Sequence, residues 1–128
     1  MAIAKTFGIE TEYGIVHRGT DDPNPITASS LLINSFLASE GYKPDARSDV
    51  IAWDFIDETP GADARGFSPL GALPPEVETH LVNAVLRNGA RYYVDHAHPE
   101  MSTPEVADPR SAVLYDRAGE LIIQRSMA

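Results

Sequence analysis

Cysteine is absent from all 128 residues, which excludes disulfides and thiolate metal sites outright. Positive charge is scarce: ten Lys and Arg stand against nineteen Asp and Glu, for a formal net charge of −9. Nucleic acids and anionic membranes are bound through clustered cations, so neither is an expected partner. No apolar run approaches the roughly eighteen residues needed to span a bilayer. Met1 to Phe7 carries one Lys and passes straight into alternating sequence, unlike a secretory leader, so a cytoplasmic protein is expected. Internal repeats and low-complexity tracts are also missing.

What remains has the balance of a globular domain, 43% hydrophobic and 23% charged. The length suits one domain that hides roughly two-thirds of its unfolded surface. Residues 5–16 alternate and predict a strand, with Phe7, Ile9, Thr11, Tyr13 and Ile15 on one face and Gly8, Glu10, Glu12, Gly14 and Val16 on the other. A loop over 18–26 precedes a helix over 28–40, capped by Thr27 or Ser29, striped by Leu32, Phe36 and Leu37, and closed by Gly41. A short strand is expected at 51–56 around Trp53 and Phe55. The Pro- and Gly-rich stretch 57–75 predicts a mobile surface loop.

Pro74-Pro75 predicts a second helix, with Val77, Leu81, Ala84 and Val85 on one side and Asn88-Gly89 as its stop. A strand over 90–96 follows. Asp108-Pro109 opens a third helix with Leu114, Ala118, Leu121 and Ile122 as its apolar positions and Gly119 as a weak point. That helix reaches Ala128 without a stop signal, as either a frayed terminus or a segment of a longer chain would.

Two constellations carry chemistry. Glu10 and Glu12 stand two residues apart on one strand face, where their charges repel unless a cation lies between them. A hard divalent ion such as Mg²⁺ suits such oxygens, although an isolated Glu-x-Glu is more often a solvated strand face. In the second strand Arg91, Tyr93 and Asp95 share a face, while Tyr92 and Val94 point to the core. Pro99 is expected to turn the chain so that Glu100 swings back toward that face. Glu10, Glu12, Tyr93, Asp95 and Glu100 then converge, with Arg91 beside them. Against this, Arg91 and Asp95 alone also fit a structural salt bridge. His96 and His98 fit a transition-metal pair less well than groups that orient neighbouring carboxylates, since only His17 and His80 could supply another nitrogen.

The segments Gly8-Ile9-Glu10-Thr11-Glu12-Tyr13-Gly14, Asn88-Gly89-Ala90-Arg91 and His98-Pro99-Glu100, in this order, resemble the Pup ligase and depupylase family. Its members act on the prokaryotic ubiquitin-like protein Pup. The resemblance implies an α+β fold, an antiparallel β-sheet backed by helices, of the glutamine-synthetase-like (carboxylate–amine ligase) kind. Family members run several times longer, so residues 1–128 would be the N-terminal part of a single catalytic domain, with the insertion loop near 57–75. The spacing from Asp95 to Glu100, and the stretches Trp53-Asp54 and Asp63 to Phe67, are similar to the depupylase branch.

Residue by residue, the resemblance implies Glu10, Tyr93 and Glu100 as magnesium ligands and Glu12 as a ligand of a second metal. Arg91 and Thr103 would contact the nucleotide, and Asp95 would be the catalytic carboxylate. Met101 stands where the family usually has an aromatic residue. The implied cofactors are Mg²⁺ and ATP, or ADP with phosphate, held and not consumed at each turnover. The implied partners are Pup and pupylated proteins, and the implied reaction is hydrolysis of a γ-amide or isopeptide bond. The 57–75 loop would tune access to the site. Competing readings are a Pup–protein ligase, a transition-metal hydrolase built on His96 and His98, and a non-catalytic fragment.

Overall fold

A computed structural model describes residues 5–16, 18–19, 24–42 and 82–128. The expected strand at 51–56, the loop at 57–75 and the start of the Pro74-Pro75 helix lie outside these residues. The described elements are β1 (Glu10–Glu12), α1 (Pro25–Ser39), β2 (Asn83–Val85), β3 (Arg91–Asp95), β4 (His98–Ser102) and α2 (Pro109–Ser126). The strands form an antiparallel sheet in the order β1-β4-β3-β2, and the helices pack on one of its faces, giving an α+β architecture. No helix among the described residues is long and apolar enough to cross a membrane.

The 5–16 strand is much shorter than its alternation predicts, because proline and an extra residue interrupt pairing at both ends. Thr103 N–H donates to the Ile9 carbonyl, whereas Phe7 pairs with Val106, so Gly8 alone faces the two residues Pro104 and Glu105. That is a bulge, and the Thr103 hydroxyl accepts from Ile9 N–H at 2.9 Å within it. At the other end Tyr13 N–H donates to Pro99, which has no N–H to return the bond.

The largest correction concerns Ala84 and Val85, expected in a helix and found in β2. Asn83, Ala84 and Val85 pair with Tyr93, Tyr92 and Arg91. Asn88-Gly89, expected to stop a helix, instead turns a hairpin: Gly89 has φ 84° and the Asn88 side chain accepts from Ala90 N–H. The β3–β4 reversal also differs from expectation. It occurs at His96 and Ala97, both left-handed at φ 44° and 65°, before Pro99 is reached. The Ser29 hydroxyl, shared between the Pro25 carbonyl at 2.7 Å and the Ala97 carbonyl at 3.1 Å, ties this strained turn to the helix that follows Asn24, and the turn puts Glu100 on a paired strand opposite Tyr93.

Helix α1 begins at Pro25, three residues earlier than predicted, with Asn24 as its cap accepting from Thr27 N–H. Gly41 closes it as expected: at φ 74° its N–H bonds Ala38 while Tyr42 N–H bonds Leu37. Helix α2 starts at Pro109, capped by Asp108 through Ser111 N–H. Its inward stripe is Ala112, Gly119, Ile123 and Ser126, whereas Leu114 and Leu121 are exposed. Size misled the reading, since the helix approaches the sheet closely enough that small residues must face it. A Cβ on Gly119 would lie 3.0 Å from Met101 Cγ and 3.6 Å from the Tyr13 hydroxyl. Gly119→Val is therefore expected to lower the urea midpoint, costing about 1–3 kcal/mol through overpacking; an unchanged midpoint would show that the contact can relax.

Tyr92, Val94, Ala84 and Met101 from the sheet join Ile33, Phe36 and Leu37 of α1 and Ile123 of α2 in one core. With that face filled, the alternate side chains of every strand project from the opposite face.

Candidate active site

That opposite face carries Glu10 and Glu12 from β1, His98, Glu100 and Ser102 from β4, Arg91, Tyr93 and Asp95 from β3, and Asn83 and Val85 from β2. The register makes neighbours of them: Glu12 stands opposite Glu100, Glu100 opposite Tyr93, and Tyr93 opposite Asn83. Six of the seven expected site residues, Glu10, Glu12, Arg91, Tyr93, Asp95 and Glu100, are thus on one side of one sheet. Thr103 is not on this face: it lies past β4 with its hydroxyl engaged by Ile9 N–H.

Glu100 is the pivot. It is 3% exposed, takes the Tyr93 hydroxyl proton in a hydrogen bond at Oε1, and has no partner for Oε2 among the described residues. Burial, reinforced by the charges of Asp95, Glu10 and Glu12, raises its pKa to about 7 despite the Tyr93 bond. Burial and the same bond push the Tyr93 phenol above its ordinary range. Ser102 Oγ lies 3.0 Å from Glu10 Oε1 and 3.1 Å from the Tyr93 oxygen, tying β1 into the group.

Asp95 is held by its neighbour in the turn. His96 N–H donates to Oδ1 at 3.0 Å, and His96 Nδ1 lies 3.2 Å from Oδ2. The same ring nitrogen is 3.4 Å from Glu12 Oε1, and His98 Nδ1 is 3.4 Å from Glu12 Oε2. His96 therefore orients carboxylates, and His98 stands beside one. Glu12, Asp95 and His96 also offer three ligand atoms within 4.8 Å of one another.

A cation fits this donor set. Four carboxylates share one face, and a buried carboxylate oxygen without a partner is an uncommon and costly arrangement that a hard ion would relieve. On the opposite flank the Arg91 guanidinium lies 3.6 Å over the Tyr93 ring, and its Nε donates to Asn83 Oδ1 at 2.8 Å. Positive and negative groups thus divide the face, as a metal-bound anion would require. Sequence reasoning missed Ser102, although strand parity two residues after Glu100 would have found it. It missed Asn83 because that residue fell inside an expected helix.

Residues 5–128 match the family described as Pup-ligase protein. The chain is 46% identical over 124 residues to a depupylase of Acidothermus cellulolyticus, covering 93% of this chain and 24% of that protein. It is 42% identical over 125 residues to a Pup deamidase/depupylase of Mycobacterium tuberculosis, covering 94% of this chain and 24% of the relative. A Pup–protein ligase of Bifidobacterium adolescentis is 28% identical over 124 residues, covering 96% of this chain and 18% of that protein. The chain therefore spans about a quarter of the length of the depupylases it matches.

Proposed function

The chain belongs to the Pup-ligase protein family, and from that premise we propose that it forms the cation- and nucleotide-binding part of a Pup deamidase/depupylase with a glutamine-synthetase-like fold. The reaction is hydrolysis of the γ-amide of a C-terminal glutamine of Pup, or of the isopeptide bond joining Pup to a substrate lysine. The observation that carries this reading is the buried Glu100 carboxylate, with an oxygen lacking a partner among the described residues, set among three further carboxylates on the face that also carries Arg91. The higher identity to depupylases than to the Bifidobacterium ligase supports the hydrolytic branch.

In this mechanism Glu10, Tyr93 and Glu100 hold Mg²⁺, Glu12 holds a second ion, and Arg91 meets the phosphates of ATP or of ADP with phosphate. Thr103, whose hydroxyl accepts from Ile9 N–H and keeps its own proton to donate, contacts the nucleotide from the end of β4. Bound magnesium would supply Lewis acidity that polarises an amide carbonyl and offsets developing negative charge. Asp95 either attacks the amide carbonyl, expelling ammonia or the lysine amine and leaving an anhydride that water hydrolyses, or takes a proton from the water that attacks the carbonyl and passes it to the departing amine. The His96 backbone N–H holds one oxygen of its carboxylate for either role. Pup and pupylated proteins are the proposed macromolecular partners.

The direct test incubates the protein as encoded with glutamine-terminated Pup, ATP and Mg²⁺ and follows ammonia. Release without matching ADP formation is expected. ADP formed in step with conjugation would establish the ligase instead.

Cation binding should also depend on pH in a defined direction. Because the Glu100 pKa is raised, the group keeps its proton below about pH 7 and must release it to a cation. Mg²⁺ affinity is expected to be roughly tenfold weaker at pH 6 than at pH 8, flattening above the raised value. Without cation, the same sign makes the fold lose stability as pH climbs from the ordinary carboxylate range toward 7. Calorimetric titrations across this range check it; constant affinity would show that Glu100 is already ionised.

A further inference from the structure

Asn83 is a polar side chain in a place that structural needs alone do not account for. It is 4% exposed, lies on the ligand-bearing face at the β2 end of the described sheet, and stands opposite Tyr93 across the β2–β3 ladder. Its amide orientation is set by chemistry: Arg91 Nε is a donor, so the atom 2.8 Å away must be the oxygen. The other end of the amide, Nδ2, therefore presents two N–H donors, and it is buried with no hydrogen-bond partner among the described residues. Buried donors are nearly always satisfied in folded proteins, so a persistent orphan beside an arginine marks the position of an external acceptor.

We propose that Asn83 is a ligand-binding residue whose Nδ2 donates to a phosphate oxygen of the bound nucleotide, next to Arg91. Three observations converge on this acceptor. The Arg91 guanidinium is fixed in plane by the Tyr93 ring beneath it and by Asn83 Oδ1, an arrangement that pre-orients it for an anion. The carboxylates on the β1 and β4 side fit a cation, and the phosphate that such a cation carries needs N–H donors of the kind Asn83 offers. Among the described residues of the face, Ser102 and the Tyr93 hydroxyl already meet carboxylate oxygens, whereas the Asn83 amide nitrogen has a donor to spare. One amide thus serves both roles, orienting the arginine through its oxygen and reading the ligand through its nitrogen.

The inference rests on the nucleotide reading above and is tested by binding of ADP with Mg²⁺, measured calorimetrically. Asn83→Ala is expected to bind roughly tenfold to a hundredfold more weakly, the worth of a hydrogen bond to a charged group. Because the lost donor touches the ligand itself, a loss of at least tenfold should persist in an Arg91→Met background. Asn83→Asp keeps the side-chain volume and the oxygen facing Arg91 while replacing the donor by a charged acceptor. It should lose more affinity than the alanine variant, and it carries the test if alanine does not fold. Wild-type affinity in either folded variant would overturn the proposal. So would a loss that vanishes when Arg91 is replaced, which would make Asn83 only a positioning residue for the arginine. Failure of the unaltered protein to bind ADP with Mg²⁺ would remove the nucleotide reading itself, an outcome separable from the other two.

Discussion

Asp95→Asn should reduce amide hydrolysis by about a thousandfold or more while leaving nucleotide affinity and secondary structure in place. The substitution keeps the shape of the side chain and an oxygen to accept from His96 N–H, so the turn at His96 and Ala97 has no cause to rearrange. What disappears is the negative charge and the lone pairs that attack a carbonyl or take a proton from water. Ammonia release from glutamine-terminated Pup, measured beside a calorimetric ADP titration, separates lost chemistry from lost binding. Equal activity in the variant and the unaltered protein would move the reaction to another group on the face.

Tyr92→Ala is the expected largest loss of stability. Tyr92 is fully buried, its ring meets Phe36 edge-on with centroids 6.2 Å apart, and its hydroxyl donates to Ser126 at 3.2 Å. It thereby joins β3 to both helices, and no small residue can replace those contacts without leaving a cavity. A cost of about 3–5 kcal/mol is expected, read as a drop in the urea midpoint. Tyr92→Phe provides the control at about 1 kcal/mol, because Ser126 keeps its bond to the Ile122 carbonyl when the phenol is removed. A similar cost for both variants would mean that the hydroxyl, and not the ring, secures the helices. The site is coupled to this packing, since Tyr93 and Arg91 occupy the alternate positions of the same strand.

Much of the site was legible in the chain because strand alternation is a strictly local property. Glu10 with Glu12, and Arg91 with Tyr93 and Asp95, were assigned to shared faces from parity alone, and the register of β1, β4 and β3 brings those faces onto one side. The caps at Asp108 and Gly41 were equally readable, since a capping oxygen or a left-handed glycine acts within a few residues of itself. Errors arose wherever a distant partner decided the outcome. Ala84 and Val85 suit a helix or a strand, and only pairing with β3 makes them β2. The inward stripe of α2 follows its closeness to Met101, which favours Gly119 over Leu121.

By itself, then, the amino-acid order determined which residues share a strand face, that Asp108 caps the start of α2, and that Gly41 closes α1. These depend on backbone period and on side chains acting over a few bonds. The tertiary structure alone decided that Glu100 is buried opposite Tyr93, that His96 clamps Asp95, and that Asn83 meets Arg91. Burial and cross-strand register are set by segments distant in sequence, and the pKa of Glu100 follows from them, because removal from water is its largest cause.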